Sequence, residues 1–366
     1  LPFAPGGASR FPDGLDTDAA TDWVRNDFDL AGLPGIVGTI VLGEAYNTPG
    51  APNAIYTPPP EACGDPYTPV YAVQGSGPAS PLLGQEVAVE GVVVGDFQNN
   101  TVSGDDGDLN GFHIQDPAGD GDAATSDGLF IYGPGSVDVA VGDRVRVRGP
   151  VSEYYGLTEV TAGQLWICSS GNSIAATPIS LPVTSPDDLE PYEGMLVTLP
   201  QTLFIAEYFD FDRYGEIVLS MERQYQPTAI YEPDSPEAAA LADWNSRSRI
   251  IVDDGRTVQN PDPAIHPNGL VFDLSNLFRG GDILTNVTGV LDYSFNLYRI
   301  QPTGPADYTA VNLRPAVPDD VGGRMQIAAL NTLNYFLTAD YPSGDPLDNK
   351  CGPLLNMECR GWDFDQ

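Results

Sequence analysis

The sequence predicts a mainly β protein that contains two small antiparallel barrels of the same kind. Its 366 residues include 40 glycines and 34 prolines, and long helix-forming runs are few. Such a turn-rich composition favours short strands over helices. Residues 142–155 and 281–294 also share one pattern, which indicates that a β unit occurs twice.

The first barrel is predicted within residues 81–180. Polar and apolar side chains alternate there with a period of two, as in strands with one buried face. The predicted strands are separated by Gly and Asp turns and cover residues 86–90, 92–94, 111–116, 129–132 and 144–148. About five strands within about ninety residues correspond to one small closed barrel.

The second barrel is predicted over residues 181–313, on the evidence of the repeat. Residues 142–155 and 281–294 each begin with Gly-Asp and continue as an alternating strand and a Gly. In both, an apolar residue and then an acidic residue followed by Tyr come after that Gly. The two segments are spaced by 139 residues. The alternative is a chance alignment of two turn-rich segments. A helix is also predicted from Ser235, because a capping Ser precedes Pro236 at the first helical position.

The remaining segments flank the two barrels. Residues 1–55 are loop-rich and contain one short apolar run, and residues 56–80 are predicted to be an extended Pro- and Gly-rich linker. Residues 314–323 form a second predicted linker, after which residues 324–366 begin a new apolar strand. That last stretch is too short to complete a domain.

The charge of the chain restricts its partners. With 51 acidic and 16 basic residues, the net charge is −35, which repels nucleic acid and anionic membranes at long range. No apolar run reaches the 18 or so residues that a membrane span needs. The chain begins at Leu1 without a basic and apolar leader, so we expect a mature extracellular product or an excised piece.

The four cysteines predict two disulfides. They form no CxxC pair, and with only two histidines in the chain a zinc site is not expected. Cys351 and Cys359 are close enough in sequence to close a short loop, which leaves Cys63 and Cys168 as the second pair. An even count favours an oxidising, extracellular compartment. The alternative is four buried free thiols.

Three arginines are the candidate DNA-binding residues. Arg144, Arg146 and Arg148 project from one face of a single strand, about 7 Å apart, a spacing that suits a phosphate backbone. The alternative is cross-strand pairing with Glu86 and Glu90, which also share one face.

Two acidic loops are candidate Ca²⁺ sites, since Ca²⁺ takes six to eight oxygen ligands. The candidate ligands are Asp105, Asp106, Asp108, Asn110, Asp116, Asp120, Asp122 and Asp127. Neither loop has the terminal Glu of an EF-hand, and the alternative is that both are solvated loops. His113 and His266 have no neighbouring nucleophile, so both are expected to be structural.

The chain resembles a known family along nearly its whole length. Residues 325–336 end in Asn331-Thr-Leu-Asn-Tyr-Phe, and Cys-Gly-Pro and Cys-Arg-Gly follow at 351–353 and 359–361. These residues resemble the opening of an endonuclease/exonuclease/phosphatase domain in ExeM-like secreted bacterial nucleases. The segments at 72–77, 91–98, 111–116 and 290–302 resemble the OB-fold region of those proteins. Residues 1–55 are similar to the closing part of a lamin-tail-like β-sandwich.

The resemblance implies an extracellular endonuclease that hydrolyses DNA phosphodiester bonds with Mg²⁺ or Mn²⁺. In that arrangement Asn331 helps to hold the metal or the water–phosphate network, and the metal activates the attacking water. The metal-binding Glu, the catalytic Asp residues and the His of the family do not map to residues 1–366. The chain is therefore expected to be an accessory, OB-fold portion that binds DNA or a partner and is inactive by itself.

Two other functions remain open. The chain is alternatively an extracellular structural module or filament subunit that self-associates by strand addition at sheet edges. A carbohydrate- or calcium-binding adhesin is the third reading, and it rests on the acidic loops alone. A downstream sequence with the missing catalytic residues would favour the nuclease, whereas self-association would favour the filament.

Overall fold

The computed structural model describes residues 7–26, 33, 44–53, 62–98, 109–317, 319–325, 327, 350–351 and 357–358. The chain divides into two units, Leu1–Leu313 and Arg314–Gln366. Strands dominate the described residues and helices are short, so the predicted mainly β class is confirmed. None of the helices in this part of the chain is both long and apolar enough to cross a membrane.

The first unit contains seventeen strands among its described residues, β1 to β17. They are β1 (Ala8–Arg10), β2 (Trp23–Arg25), β3 (Glu86–Phe97), β4 (Gly111–Gln115), β5 (Gly128–Tyr132), β6 (Arg144–Tyr154), β7 (Leu157–Thr161), β8 (Gln164–Ser169), β9 (Thr177–Pro178), β10 (Leu196–Leu199), β11 (Leu203–Glu207), β12 (Ile217–Ser220), β13 (Arg249–Val252), β14 (Ile283–Thr285), β15 (Val287–Ser294), β16 (Leu297–Pro302) and β17 (Asp307–Thr309).

The helices of this unit are short connections between strands. They are α1 (Val70–Gln74), α2 (Phe211–Tyr214), α3 (Pro227–Ile230) and α4 (Pro236–Arg247), with 3-10 turns at Ala20–Asp22 and Pro186–Tyr192. The predicted cap of α4 is confirmed, because Ser235 Oγ accepts a hydrogen bond of 3.1 Å from the Ala238 amide.

Strands β3 to β7 form a closed five-stranded barrel. Neighbouring strands pair in the order β3-β4-β5-β7-β6, and β6 pairs back to β3. All pairs are antiparallel except β5 and β7. This is the Greek-key arrangement of an OB barrel. Strand β3 closes the ring because it is long: its first half pairs with β6 and its second half with β4.

Strands β9 to β17 form a second sheet with the same pairing order. Strands β10 and β11 are separated by three residues and together act as one interrupted first strand. Strand β10 pairs with β15 and β11 pairs with β12, after which the order continues through β13, β16 and β15. The β13–β16 pair is parallel, as is its counterpart in the first barrel.

The two copies of the sequence repeat begin with the same turn. Asp143 and Asp282 each accept a hydrogen bond from the backbone amide three residues earlier, at 3.0 and 2.8 Å. The glycines before them, Gly142 and Gly281, have φ of 93° and 87°, a conformation that glycine adopts readily. Chance alignment is therefore not the explanation of the shared pattern.

The constant spacing of 139 residues holds only for the start of the repeat. Asn286, with a φ of 55°, is an extra residue between β14 and β15. Beyond it the spacing is one residue longer, so Gly149 of β6 corresponds to Gly289 of β15. A side chain at either glycine would collide with the carbonyl oxygen of the facing strand.

Each sheet encloses its own apolar core. The core of the first barrel includes Phe112, Ile114, Leu129 and Ile131, all fully buried. The core of the second sheet includes Leu199, Leu203, Leu219 and other aliphatic residues. In the unit Arg314–Gln366 the described backbone contains one short antiparallel pair, β18 (Lys350–Cys351) with β19 (Met357–Glu358).

Candidate functional site

The arginine strand is neutralised by the carboxylates of β3. Arg144 Nη2 lies 2.9 Å from Glu90 Oε2, and Arg146 Nη1 lies 3.1 Å from Glu90 Oε1. Arg148 Nε lies 2.6 Å from Glu86 Oε1. Cross-strand pairing, one of the two interpretations of this pattern, is therefore what the structure contains.

Arg146 is a structural residue, and its assignment to DNA binding is corrected. Its side chain is 2% exposed, and its guanidinium also donates to the backbone carbonyls of Asp65 and Pro66 at 2.9 and 3.1 Å. A buried guanidinium with these partners cannot reach a phosphate without unfolding the loop above it. Arg144 and Arg148 are partly exposed, and their contact with DNA stays a prediction.

The loop above the arginines is held by the predicted Cys63–Cys168 disulfide, which is present. Beside it, the Gly64 amide donates a hydrogen bond of 2.7 Å to Glu90 Oε1. Glu90 thus joins the loop, β3 and β6. The proposed second disulfide, Cys351–Cys359, cannot be placed because Cys359 lies outside the described residues.

The acidic loop between β4 and β5 uses its carboxylates to build turns. Asp116, Asp120 and Asp122 each accept a hydrogen bond from the backbone amide two residues later, at 2.9 to 3.0 Å. Burial, Asp116 and Asp120 together raise the pKa of Asp127. The described residues contain no group of three or more His, Cys, Asp or Glu side chains arranged for a metal ion.

Other candidate metal ligands fall elsewhere. Asn110 has a φ of 56° and directly precedes β4. Asp105, Asp106 and Asp108 lie outside the described residues, as does Asn331. Binding of Ca²⁺ by the acidic loops and of Mg²⁺ or Mn²⁺ at Asn331 stays a prediction.

The outer face of β4 and β5 is covered by the second sheet. Gln115 Oε1 accepts a hydrogen bond of 2.9 Å from the Leu196 amide. Ser126 Oγ donates at 2.6 Å to the Glu193 carbonyl. A Cβ at Gly128 would collide with the backbone of Gly194, so the two backbone segments meet without side chains between them. OB barrels bind oligonucleotides and oligosaccharides on this face, and here it is occupied within the chain.

A buried polar network crosses the same junction. His113 Nε2 lies 3.8 Å from Asp292 Oδ1, and both residues are buried. Gln301 Nε2 links Asp292 to Asp253, at 3.1 and 3.3 Å. Arg299, 2% exposed, then joins Asp253 to Glu216 with contacts of 2.8 and 2.6 Å. We call these six residues the junction network.

The junction network determines the charge of its carboxyl groups. Burial opposes the ionisation of Asp292, but His113, Gln301 and Arg299 outweigh it and lower its pKa. At Asp253 burial prevails over Arg299, and the pKa is raised. The neighbouring Glu193 has its pKa raised well above the ordinary value, by burial first, although the Thr158 amide donates to it at 3.0 Å.

A cavity of about 310 Å³ lies against the second sheet. Its wall is mainly apolar and includes Phe211, Ile217, Val252, Ile265, Leu284 and Val287. Asp253, Asp254 and His266 are the titratable groups on this wall. A mostly apolar cavity with a few polar groups is the general form of a small-ligand pocket.

The carboxyl of Asp254 is only partly satisfied. Its Oδ1 accepts a hydrogen bond of 3.0 Å from the Arg256 amide, while its Oδ2 is buried without a hydrogen-bond partner. Burial and the adjacent Asp253 raise the pKa of Asp254 to about 7. Gly215 makes room for this carboxyl, because a Cβ there would overlap it.

The two histidines have structural surroundings, as expected. His266 is fully buried against Phe272, Phe278 and Tyr308. Its Nδ1 accepts a hydrogen bond of 3.0 Å from the Asn268 amide, and burial lowers its pKa. Since the Nδ1 is an acceptor, the neutral ring carries its proton on Nε2.

Sequence reasoning did not single out Asp253, Asp254, Asp292, Arg299 or Glu193. One signal was available for Arg299, because a charged residue stands at the centre of the strand 297–302, directly before Ile300. Asp253 and Asp254 follow an apolar strand and resemble an ordinary solvated turn. Their environment depends on segments that are distant in sequence.

Comparison with known proteins gives a partial match. Residues 169–312, which include the second sheet, match the family model "Domain of unknown function (DUF8508)". No curated protein matches the chain. Among solved structures, "OBody AM1L10 bound to hen egg-white lysozyme" is similar at 17% identity, over 25% of this chain and 84% of that one, with a TM-score of 0.18. The family model covers less than half of the chain and carries no assigned function.

Proposed function

We propose that residues 1–366 are the accessory portion of an extracellular, divalent-metal-dependent DNA endonuclease, in which the two β units form one rigid support. The observation that carries this proposal is the joining of the two sheets by the junction network and by direct backbone contact at Gly128 and Gly194. Such an arrangement suits the positioning of a further domain. The nuclease assignment itself rests on the resemblance of residues 325–361.

The described surface favours a supporting role over the binding of DNA. The β4–β5 face is covered, and Arg146 is buried. Glu86 and Glu90 offset the charges of Arg144 and Arg148. A net charge of −35 adds long-range repulsion of phosphates. The disulfide supports the extracellular location, since such bonds persist in oxidising compartments.

Cleavage of supercoiled plasmid tests the proposal. Residues 1–366 are expected to leave the plasmid intact in Mg²⁺, Mn²⁺ or Ca²⁺. A chain that extends into the predicted nuclease domain is expected to nick it in Mg²⁺ or Mn²⁺ and to stop when a chelator is added. Cleavage by residues 1–366 alone would overturn the accessory role, and an inactive extended chain would overturn the nuclease assignment.

Binding of single-stranded DNA tests the supporting role separately. The fluorescence anisotropy of a labelled oligonucleotide is expected to stay unchanged when residues 1–366 are added at about 150 mM salt, where surface charges are screened beyond roughly 8 Å. Saturable binding that disappears in Arg144→Ala and Arg148→Ala would show instead that the arginine strand contacts DNA.

A further inference from the structure

Two equivalent hairpin turns carry exposed aromatic side chains. The β6–β7 turn consists of Tyr155 and Gly156, and the β15–β16 turn consists of Phe295 and Asn296. Tyr155 is 79% exposed and Phe295 is 81% exposed. The spacing of 140 residues between them is that of the later part of the repeat, so both β units present an aromatic ring at the same place.

The backbone at these turns is unfavourable for an aromatic residue. All four turn residues have positive φ, with 51° at Tyr155 and 53° at Phe295. Two-residue turns of this kind favour Asn, Asp and Gly, because bulky side chains adopt this region rarely. Neither ring gains burial that would offset the cost. Strain of this kind, where packing does not require it, is typical of functional positions.

The two turns lie next to each other across the junction of the sheets. A Cβ at Gly156 would come within 2.8 Å of the Tyr293 ring, so the first turn packs directly on the start of the second. Tyr154 and Tyr155 contact edge to face with centroids 4.8 Å apart, and Tyr293 lies 4.8 Å from the ring of Tyr298. We call these two ring pairs, together with the exposed Phe295 of the second turn, the tip patch: Tyr154, Tyr155, Tyr293, Phe295 and Tyr298.

The charges beside the tip patch are mainly negative. The Tyr298 hydroxyl donates a hydrogen bond to Glu190, and Glu190 and Glu193 both raise the pKa of Tyr298 after burial. Glu153 adds a further negative charge beside Glu190. Arg299 lies over the Phe295 ring at 5.5 Å, but its charge is shared by Asp253 and Glu216. A polyanion is therefore repelled from this surface.

We propose that the tip patch binds an uncharged polysaccharide, with sugar rings stacked on Tyr155 and Phe295. Exposed aromatic rings offer flat apolar faces at a small cost in side-chain entropy. The net charge of −35 and the carboxyl of Glu190 beside the patch disfavour nucleic acid, whereas they do not repel an uncharged sugar. This activity is independent of the nuclease assignment, and it would hold the protein at a glycan surface.

Affinity electrophoresis tests the proposal on the intact chain. Native gels contain hydroxyethylcellulose, galactomannan, mixed-linkage β-glucan or the anionic polysaccharide alginate, and mobility is compared with a gel that contains no polysaccharide. We expect at least one neutral polysaccharide to retard the protein, and alginate to have no such effect. The double variant Tyr155→Asn, Phe295→Asn is expected to lose the retardation.

The variant is chosen so that loss of folding does not imitate loss of binding. Asn suits the left-handed backbone, so the melting temperature is expected to be equal to or higher than that of the wild type. Phe209→Ala is the matched control, because Phe209 is 82% exposed on a different loop. It is expected to keep full retardation, as is Tyr155→Trp.

Three results would overturn the proposal. They are an absence of retardation in all three neutral polysaccharides, unchanged retardation of the folded double variant, and stronger retardation in alginate than in the neutral gels. The first shows that the surface does not bind such glycans. The second places their binding elsewhere, and the third shows that the ligand is anionic.

Discussion

His113 of the first barrel faces Asp292 of the second sheet, with 3.8 Å between Nε2 and Oδ1, and both side chains are buried. The two residues are about 180 positions apart in sequence and belong to different β units. Their contact therefore depends on one relative placement of the two sheets. Gln301, Asp253 and Arg299 continue the network from Asp292 into the second sheet. Another placement of the sheets would separate His113 from Asp292 and leave the buried Asp292 carboxylate without the nearby imidazole.

The first prediction concerns this pair. His113→Phe is expected to lower the free energy of unfolding by about 2–4 kcal/mol, because Asp292 keeps a buried charge and loses the imidazole. In the His113→Phe, Asp292→Asn double variant, part of that loss is expected to be recovered. Urea unfolding of the four proteins in the cycle gives the coupling energy. Strictly additive losses would show that the two residues are independent.

The second prediction compares the stability contributed by a buried ion pair and by an exposed ion pair on the arginine strand. Glu90→Gln is expected to cost about 3–5 kcal/mol, because the buried guanidinium of Arg146 loses its carboxylate partner. Arg148→Ala removes an exposed pair on the same strand and is expected to cost less than about 1 kcal/mol. Thermal and urea unfolding measure both. Equal losses would contradict the structural role given to Glu90.

Sequence periodicity predicted the strands and the shared face of the arginines, because alternation depends only on neighbouring residues. It did not show which face would be covered. Residues 62–66 contain few apolar side chains, yet the Cys63–Cys168 disulfide and Glu90 hold them over Arg146. The repeat likewise predicted a second β unit. The extra residue at Asn286 became evident only from the pairing of β14 with β11 and of β15 with β10.

The polar junction lay beyond sequence reasoning for a different physical reason. His113 and Asp292 each occur in a strand, and their partners are set by the packing of one sheet on the other. The same is true of Asp254, whose carboxyl is buried by segments that are distant in sequence and together line the cavity. Local patterns carry no information on such contacts.

The third prediction concerns Glu193 and pH. Its pKa is raised by burial in the folded protein, so its contribution to stability is present below the ordinary value of 4.5 and is lost as pH rises through the folded value. Glu193→Gln keeps an oxygen for the Thr158 amide and removes the charge. This variant is expected to be more stable than the wild type by about 1–3 kcal/mol at alkaline pH, and to lose the advantage in acid.

The control for Glu193 is Glu237→Gln, at an exposed position in the first turn of α4. This substitution is expected to change stability by less than about 0.5 kcal/mol over the same pH range. Unfolding of the three proteins by urea at several pH values makes the comparison. A pH dependence of Glu193→Gln that matches that of the wild type would contradict the buried, protonated state of Glu193.

The fourth prediction concerns Asp254 on the wall of the cavity. Burial and the adjacent Asp253 raise its pKa to about 7, so its carboxyl is expected to titrate near neutral pH, far above most aspartates. Carbon NMR of protein labelled at the aspartate carboxyl carbons measures the midpoint, and Asp254→Asn identifies the signal by removing it. Because the pKa is raised, the stability contributed by Asp254 is present below 3.8 and is lost as pH rises through about 7. Asp254→Asn is therefore expected to gain stability relative to the wild type between acidic and alkaline pH. A midpoint near 4 would show that water reaches the carboxyl and that the cavity wall is open at this point.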